Sequence, residues 1–478
     1  MSTAPIIVCF RQDLRLSDHA ALSAAAKTDR PILPCFIYDD ASPGPWVPGG
    51  ASRWWLHHSL TSIAADLEQY GVSLVIRRGA WADTLTELAH ECDAHAVYWT
   101  RGYEPWFREQ EEKLRSTLQT RETKRYPGGL LFEPEAIETG SGGPYKVFTP
   151  FWKACLKVAE PGAVLPAPKS LNALTETPSS LSVCDLDLLP TKPDWSGGLA
   201  EAWTPGEAGA HDRLNAFAED HIGQYDEQRD LPARPGTSML SPHLHHGELS
   251  PRQVWHAAHA AAVAGQRQGG IDVFLSEIGW REFSYHLLFH WPHLPEQPFR
   301  EQFSGFEWRE EAHDLRAWQR GQTGIPIVDA GMRQLWHTGW MHNRVRMIVA
   351  SLLVKNALIH WREGEDWFWD TLVDADLASN AAGWQWVAGS GADAAPYFRI
   401  FNPVTQSARF DPEGDYLRRW VPEIAKLGKK HIHDPGSAPA DVLKAAGIKL
   451  GQTYPRPMVD LKATRQRALD TYKRLRSG

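Results

Sequence analysis

Short, continuously apolar runs alternate with amphipathic segments over the first 131 residues. The runs are typical of buried strands and lie at residues 6–10, 32–38, 72–76 and 96–99. Segments with helical periodicity separate them, near residues 18–27, 52–70, 81–92 and 106–119. This order predicts a βαβ series and hence a doubly wound parallel sheet. The first run is followed by RQDLR rather than GxGxxG, so the dinucleotide-binding fingerprint is missing.

The pattern changes twice after residue 131. Residues 132–205 are rich in Pro, Gly, Ser and Thr, which is typical of a long interdomain connection. Residues 206–478 show helical periodicity almost throughout and no repeat of fixed period, which argues against a solenoid. We therefore predict an α/β domain at 1–131, a linker at 132–205 and an all-α domain at 206–478.

Composition narrows the function classes. Fifty basic and 58 acidic residues give a net charge of −8, which excludes binding of nucleic acid through bulk positive charge but leaves room for a local basic groove. The five cysteines are scattered and form no C-x-x-C pair, so a reducing cytoplasm is expected. We find neither a signal peptide nor an apolar run of membrane-spanning length, and we expect a protein without membrane contact. Twenty-two tryptophans exceed ordinary packing needs and suggest an aromatic ligand.

Several polar groups in the helical part have two readings. The loop at residues 236–242 (GTSMLSP) either binds a phosphate or caps a helix. Glu277 and Arg281 are spaced i,i+4 and could form a surface ion pair. Asn343, Arg346 and Met347 share one face at the head of an apolar helix, which we expect to run to about Trp361; they either cap a turn or face a ligand.

Metal binding is not expected. Asp376 and Asn380 lie one turn apart in an apolar context, but no third carboxylate or histidine cluster accompanies them. His286 and His290 lack a third ligand, so we interpret them as structural histidines.

Five segments together carry a family resemblance. They are FRQDLR at 10–15, TGWMHNRVRM at 338–347, DADLASN at 374–380, GWQW at 383–386 and YFRIFNP at 397–403. With them the chain resembles the photolyase/cryptochrome family over nearly its whole length. The resemblance implies U-shaped FAD in the helical domain, with cofactor-binding positions at Tyr225, Thr237, Ser238, Met239, Leu240, Ser241, Phe274, Glu277, Arg281, Asn343, Arg346, Asp374, Asp376 and Asn380. It also implies an electron-transfer chain of Trp384, Trp361 and Trp308.

The resemblance implies a substrate as well. Family members that repair cyclobutane pyrimidine dimers carry the catalytic and lesion-contact residues found here, namely Glu277, Trp280, Asn343, Met347, Asn380 and Trp386. Relatives acting on (6-4) photoproducts carry histidine in place of Asn343 and Met347. The implied activity is light-driven splitting of a flipped dimer by an electron from reduced FAD. The alternative is a cryptochrome-type blue-light photoreceptor.

DNA binding would need a local basic rim, and we expect the enzyme to act as a monomer. Arg344 and Arg399 are the candidates, with Lys146 and Lys153 as further ones, beside Trp280 and Trp386.

The antenna site departs from the common bacterial folate pattern, because the residues YEP at 103–105 precede Trp106 and Phe107. In this respect the chain is similar to plant cryptochromes and bacterial class III photolyases. The expected antenna is methenyltetrahydrofolate, a reduced folate, and the rival is 8-hydroxy-5-deazaflavin. Arg11, Phe36, Arg53 and Glu104 are expected to line its cleft at the carboxyl ends of the strands.

Overall fold

A five-stranded parallel sheet forms the N-terminal part of the molecule. The computed structural model describes residues 4–158, 160–394 and 398–477; Tyr397 of the YFRIFNP segment lies outside them. The sheet order is β3-β2-β1-β4-β5, with strands β1 Ile6–Phe10, β2 Ile32–Tyr38, β3 Val75–Arg78, β4 Ala96–Thr100 and β5 Glu122–Tyr126. Helices on its two faces are α1 Ala20–Ala26, α2 Gly50–Glu68, α3 Trp81–Glu91 and α4 Pro105–Thr117. The predicted doubly wound fold is confirmed.

The strand β5 has no counterpart among the predicted elements. Its sequence ETKRY contains no apolar run, and it pairs in parallel with β4 alone, at the edge of the sheet. Edge strands tolerate polar side chains because one side faces solvent, so pairing with β4 rather than local hydrophobicity explains this strand. The strand β3 also begins at Val75, three residues later than expected.

The connection at 132–205 is packed rather than free. It contains the helices α5 Phe148–Cys155 and α6 Gly197–Ala202. Leu181 forms a bridge with Ile76 of β3, and Leu171, Leu186 and Leu188 belong to the apolar core on one face of the sheet. This segment therefore covers the sheet and also reaches the helical part through α5, which packs on α11.

The regular elements of the rest of the described chain are mostly helices. Their bounds are α7 Glu207–Asp220, α8 Tyr225–Gln228, α9 Ser241–His245, α10 Pro251–Val263, α11 Gln268–His290, α12 Ala312–Gln319, α13 Pro326–Thr338, α14 Asn343–Ser351, α15 Trp361–Thr371, α16 Leu377–Ala388, α17 Pro403–Phe410, α18 Asp415–Trp420, α19 Ala440–Ala445 and α20 Leu461–Ser477. None of the helices in the described ranges is long and apolar enough to cross a membrane.

The expected continuous helix from Asn343 to Trp361 is wrong. The helix α14 ends at Ser351 and continues as a π-helical segment, Leu352–Ala357. Leu358 then adopts a left-handed conformation with φ 57°, which an α-helix cannot accommodate. A new helix, α15, starts at Trp361, where the His360 ring accepts a hydrogen bond from the backbone of Arg362. The break turns Trp361 onto a separate helix.

Buried charges join the two parts of the molecule. Asp18 follows β1, is fully buried and accepts hydrogen bonds from the hydroxyl of Ser250 and from the Arg252 guanidinium at 3.0 Å. The Arg15 side chain, also buried, donates to the carbonyl of Gly247 at 2.8 Å. These buried hydrogen bonds join the segment after β1 to the segment at residues 247–252 of the helical part. The carboxyl edge of the sheet is thus held against the helical part.

Candidate cofactor and substrate site

The loop before α9 presents open hydrogen-bond donors. Among the described residues, no acceptor is found for the backbone N–H groups of Thr237, Ser238 and Met239. Met239 has φ 52°, an uncommon conformation for a residue with a side chain. The capping alternative is not formed, because the N-cap residue of α9 is Leu240 and no side chain caps the helix. The loop can therefore offer its N–H groups and two hydroxyls to an anion.

Arg346 and Asp374 form an ion pair next to this loop. The guanidinium of Arg346 on α14 lies 2.8 Å from the carboxylate of Asp374, and its Nε donates to the carbonyl of Met341 at 2.7 Å. The hydroxyl of Ser241 donates to the same carboxylate at 2.6 Å. Three separate segments are tied together by one acid, which fixes their relative positions.

Asp376 caps helix α16 and remains ionised. Its carboxylate accepts from the backbone of Ser379 at 2.8 Å and from the hydroxyl of Tyr285 on α11. Burial alone would raise its pKa, but the hydrogen bond and charge of His245, together with Arg281, lower the pKa of Asp376 far below its ordinary value. A fixed negative charge therefore lies at the start of the helix that carries Asn380.

Asn380 lies one turn into α16. Its amide nitrogen donates to the backbone carbonyl of Glu365 at 3.1 Å, and the residue is 9% exposed. The Glu365 side chain is fully buried, and neither carboxyl oxygen has a partner in the described chain. Burial raises the pKa of Glu365 well above its ordinary value, which favours the protonated form of this acid. The amide of Asn380 is thus oriented through its nitrogen.

Two aromatic residues, Tyr225 and Phe274, form a further part of the site. Tyr225 on α8 packs edge-on against Phe274 on α11 at 5.4 Å, and both rings are buried. Arg281, further along α11, donates to the carbonyl of Gly129 at 2.8 Å and lies 4.8 Å from the ring of Tyr285. Arg281 therefore contacts the end of the 1–131 segment rather than Glu277, and the i,i+4 ion pair is not formed.

Glu277 pairs instead with Arg229, a residue that sequence reasoning missed. The Arg229 guanidinium donates to the Glu277 carboxylate from the segment just after α8. The neighbouring Asp230 holds Arg344 through two contacts of 2.8 Å. In the sequence, the only signal was the adjacent pair Arg229 and Asp230 shortly before the loop at residues 236–242, and the sequence does not show which side chains this pair contacts.

Arg344 also contacts the sulfur of Met347 at 3.7 Å, and Asn343 lies exposed at the first position of α14. Glu277, Arg229, Asp230, Arg344 and Met347 are therefore linked by a continuous series of contacts. They form a charged rim beside exposed Asn343.

Trp280 is backed by a second residue that the sequence did not reveal. The ring of Phe148 on α5 stacks on Trp280 with centroids 3.9 Å apart and an interplanar angle of 10°. Phe148 lies in the segment expected to be a linker, so its role could not be inferred locally. One face of Trp280 is thus covered by protein.

Trp386, also half-buried, follows Gln385 on α16. Gln385 is fully buried and donates to the carbonyls of Leu294 and Gln297 at 2.6 and 2.8 Å. These bonds anchor the end of α16 to the chain after α11 and thereby hold Trp386.

The remaining candidates for a basic rim lie at the surface. Arg399 is exposed with its guanidinium 5.0 Å from the ring of Phe401. Lys146 is exposed with its amine 5.4 Å from the ring of Trp291, and Lys153 is an exposed residue of α5. All three cations can reach solvent, whereas Arg344 is held by Asp230.

The three predicted electron-transfer tryptophans differ in burial. Trp384 and Trp361 are 3% and 2% exposed, whereas Trp308 is half-buried. The Trp308 ring lies 5.0 Å from His360, whose ring is 5.5 Å from Trp361. Trp384 packs against the backbone of α15 at Gly364, where a Cβ would lie 2.0 Å from its ring. The three indoles therefore follow the start of α15 from the interior toward the surface.

Trp384 has a further aromatic neighbour. Its ring lies 6.1 Å from Trp318 and 5.0 Å from Phe368. Trp318 is fully buried and was not singled out from the sequence.

Two of the predicted antenna residues meet at the carboxyl edge of the sheet. Arg11 and Glu104 form an ion pair in a cleft that Arg281 and Tyr285 of α11 also line. Phe36 is a core residue of β2, 4% exposed, and does not line this cleft; neither does Arg53 of α2. The carboxyl-edge rule located the cleft, but the pleat of β2 directs Phe36 into the core.

The histidines are held by protein neighbours. The rings of His286 and His290 pack 4.6 Å apart, and His243 contacts buried Glu248. Within the described residues, no group of three or more potential ligands is placed to hold a metal ion.

Comparisons with known proteins cover both parts of the chain. The family described as DNA photolyase matches residues 6–170, and the FAD binding domain of DNA photolyase matches residues 274–474. A deoxyribodipyrimidine photo-lyase of Agrobacterium fabrum is 51% identical over 99% of this chain and 98% of its own length. Cryptochrome-2 of Arabidopsis thaliana is 37% identical over 99% of this chain and 79% of its own.

A solved structure is similar to this chain over its whole length. The crystal structure of a bacterial class III photolyase from Agrobacterium tumefaciens matches with a TM-score of 0.97 and 51% identity, covering 100% of this chain and 99% of that one.

Proposed function

The chain belongs to the photolyase/cryptochrome family, and from this membership we propose that it is a deoxyribodipyrimidine photo-lyase that splits cyclobutane pyrimidine dimers in DNA under blue light. The observation that carries the proposal is the full-length similarity, at 51% identity, to a photo-lyase and to a class III photolyase structure. We further propose that residues 1–131 hold an antenna and residues 206–478 hold the flavin.

The helical part fits FAD. The open N–H groups of Thr237, Ser238 and Met239 suit the diphosphate, because backbone donors without an acceptor in the described chain are available to phosphate oxygens. Tyr225 and Phe274 would flank this end, and Arg346, Asp374 and Asp376 would meet the ribose and ring. When bound and reduced, FAD supplies the excited electron that opens the cyclobutane ring and takes it back afterwards. The oriented amide of Asn380 would face the ring.

The residues of the chain would prepare the dimer for this electron. A dimer is cheaper to flip out of the helix than a normal base pair, since its pairing is already weak. Trp280, backed by Phe148, and Trp386 would pack on the flipped bases. The Glu277 carboxylate, held by Arg229, would accept a hydrogen bond from a ring N–H of the dimer and so position the bases, with Asn343 and Met347 at the same rim.

Electron supply from the surface would follow Trp308, Trp361 and Trp384. The partial exposure of Trp308 and the burial of Trp361 and Trp384 support a path that starts at Trp308. The nearby indole of Trp318 offers a second neighbour for Trp384, so the path beyond Trp384 could branch there.

For the antenna we propose methenyltetrahydrofolate, with 8-hydroxy-5-deazaflavin as the rival. The polar cleft containing Arg11 and Glu104 supports a polar chromophore at the carboxyl edge of the sheet. Extraction of the purified protein followed by absorption spectroscopy and mass spectrometry separates the two. The five cysteines are free, which supports work in a reducing cytoplasm.

The function is tested by following repair directly. Protein with reduced flavin is mixed with dimer-containing oligothymidine, and the absorbance near 260 nm is followed under blue light and in darkness. We expect the absorbance to recover under blue light and not in darkness. Binding of the oligonucleotide should weaken at higher salt, because phosphate contacts release counterions. If bound, reduced flavin produces no recovery, the photo-lyase proposal fails and the cryptochrome-type photoreceptor takes its place.

A further inference from the structure

Arg213 lies on α7 and has no acidic partner. Arg213 is partly buried, and within the described part of the chain its guanidinium donates to no carboxylate and forms no ion pair. Its Nη1 lies 3.8 Å from the sulfur of Met239, and its guanidinium carbon lies 5.0 Å from the Trp203 ring. By contrast, Arg229, Arg344 and Arg346 each pair with a carboxylate. Arg213 therefore stands out among the arginines near the cofactor site.

A partly buried cation without a counter-charge is costly. Burial lowers the pKa of Arg213, although a guanidinium remains charged at any physiological pH. Contacts with a thioether and an aromatic ring recover only part of the lost hydration. Such a group is stabilised when an anion binds beside it.

The position of Arg213 identifies that anion. Met239, its nearest polar contact, belongs to the loop whose N–H groups at residues 237–239 have no acceptor in the described chain. Phe217, one turn further along α7, packs against Tyr225 at 5.9 Å. The guanidinium, the open donors and the tyrosine thus belong to one neighbourhood, and the acids closest to it are already paired, Asp374 with Arg346 and Glu277 with Arg229.

We infer that Arg213 is a cofactor-binding residue that pairs with the diphosphate of FAD. The inference rests on the proposed function in taking FAD as the cofactor, and it adds a charge-compensating residue that the sequence motifs did not indicate. A guanidinium suits this task because its planar fork donates two parallel hydrogen bonds to phosphate oxygens. The loop would supply backbone donors, and Arg213 the positive charge.

The test measures FAD affinity in the dark. Apo-protein is titrated with FAD by flavin fluorescence for the parent, Arg213→Gln and Arg213→Lys, with Arg78→Gln as the control. Arg78 is an arginine of β3 paired with Asp40, so its substitution changes the net charge equally, away from α7. We expect Arg213→Gln to raise the Kd of FAD about 10-fold to 100-fold, as for loss of a charge-assisted hydrogen bond. Arg213→Lys should fall between, and the control should match the parent.

Riboflavin distinguishes a phosphate contact from a structural role. Riboflavin lacks both phosphates, so its Kd should be the same in the parent and Arg213→Gln if Arg213 acts on the diphosphate. Equal weakening of riboflavin and FAD, or an FAD Kd within about twofold of the parent, would overturn the inference.

A second measurement covers the case in which the glutamine variant does not fold. Inorganic pyrophosphate should raise the melting temperature of parent apo-protein and do so less in Arg213→Lys. An equal shift in both would count against the inference. Because neither experiment uses light or DNA, failure of repair leaves the result on Arg213 standing, and failure here leaves the repair proposal untouched.

Discussion

The cleft at the edge of the sheet and the loop region of the helical part treat their polar groups in opposite ways. In the cleft the charges satisfy one another: Arg11 pairs with Glu104, and buried Asp13 pairs with His19 at 2.9 Å. Burial of Asp13 raises its pKa, but His19 outweighs this and lowers it to about 2. In the helical part, the donors of residues 237–239 find no acceptor among the described residues, and the Arg213 guanidinium contacts the Met239 sulfur but no carboxylate of the described chain.

This difference indicates where a ligand is an essential part of the structure. Open backbone donors and an arginine without a carboxylate partner can bind an anion, so the helical site suits a charged cofactor. In the cleft, by contrast, Arg11 and Asp13 already have partners of opposite charge. An antenna there must bind mainly through stacking and hydrogen bonds to groups that are already neutralised.

The largest effect is expected where the helical site depends on one acid. Asp374→Ala leaves Arg346, whose side chain is 24% exposed, without its partner and frees Ser241. We expect the free energy of unfolding to fall by about 3 kcal/mol or more, together with loss of flavin during purification. Urea unfolding and the flavin-to-protein absorbance ratio measure both. Asp230→Ala is the control, because Asp230 is 36% exposed and its loss should cost about 1 kcal/mol or less.

The stability that comes from the contact between Glu282 of α11 and residues 131–132 should depend on pH. Glu282 is 2% exposed and accepts from the backbones of Leu131 and Phe132 at 2.9 and 3.1 Å. Its burial raises its pKa from 4.5 to about 7, so the folded state holds this proton more tightly than the unfolded state. Stability from this group is therefore present below pH 4.5 and is lost as pH rises to about 7.

Glu282→Gln should remove this loss, which amounts to about 2–3 kcal/mol between pH 5 and 8. The comparison is the difference in unfolding free energy between those two pH values in parent and variant. Glu135→Gln serves as the control; its carboxylate is exposed beside Arg101, with a lowered pKa, so it should not alter this pH range. Parallel pH profiles of the unfolding free energy in parent and Glu282→Gln would show that Glu282 does not cause the pH dependence.

Repair tests whether the rim acts on substrate. Glu277→Ala should lower the quantum yield of dimer repair about 10-fold to 50-fold with FAD retained, since the hydrogen bond that positions the dimer is lost. The reduced variant is assayed with dimer-containing oligothymidine under blue light. Repair equal to the parent would remove Glu277 from the reaction. Glu227→Ala, an exposed acid of α8, is the matched control and should repair normally.

The smallest expected effect concerns electron supply. Trp384→Phe should slow photoreduction of oxidised flavin by about tenfold, while repair by chemically reduced protein stays within about twofold of the parent. Absorbance of the flavin during illumination with an external reductant measures the first quantity. Unchanged photoreduction would mean that electrons reach the flavin by another route. Trp106→Phe, near the sheet cleft, is the control for loss of an indole.

Hydrophobic patterning predicted the fold because it reports which faces are buried. The runs at 6–10 and 32–38 became β1 and β2 with unchanged bounds, and the helical part followed its periodicity. Patterning failed at β5 and at Leu358, where pairing with β4 and a left-handed residue decided the structure. Neither feature leaves an apolar signal in the local sequence.

Motifs in the sequence identified the family and the candidate residues for flavin and lesion chemistry, since residues such as Asn380 and Trp384 stand in the segments that carry the resemblance. Only the tertiary structure decided their partners: Arg229 for Glu277, Phe148 for Trp280, and an unpaired Arg213 beside the loop. The reason is physical. Local sequence sets backbone preference and burial, whereas hydrogen bonds and ion pairs between distant segments depend on how the helices pack.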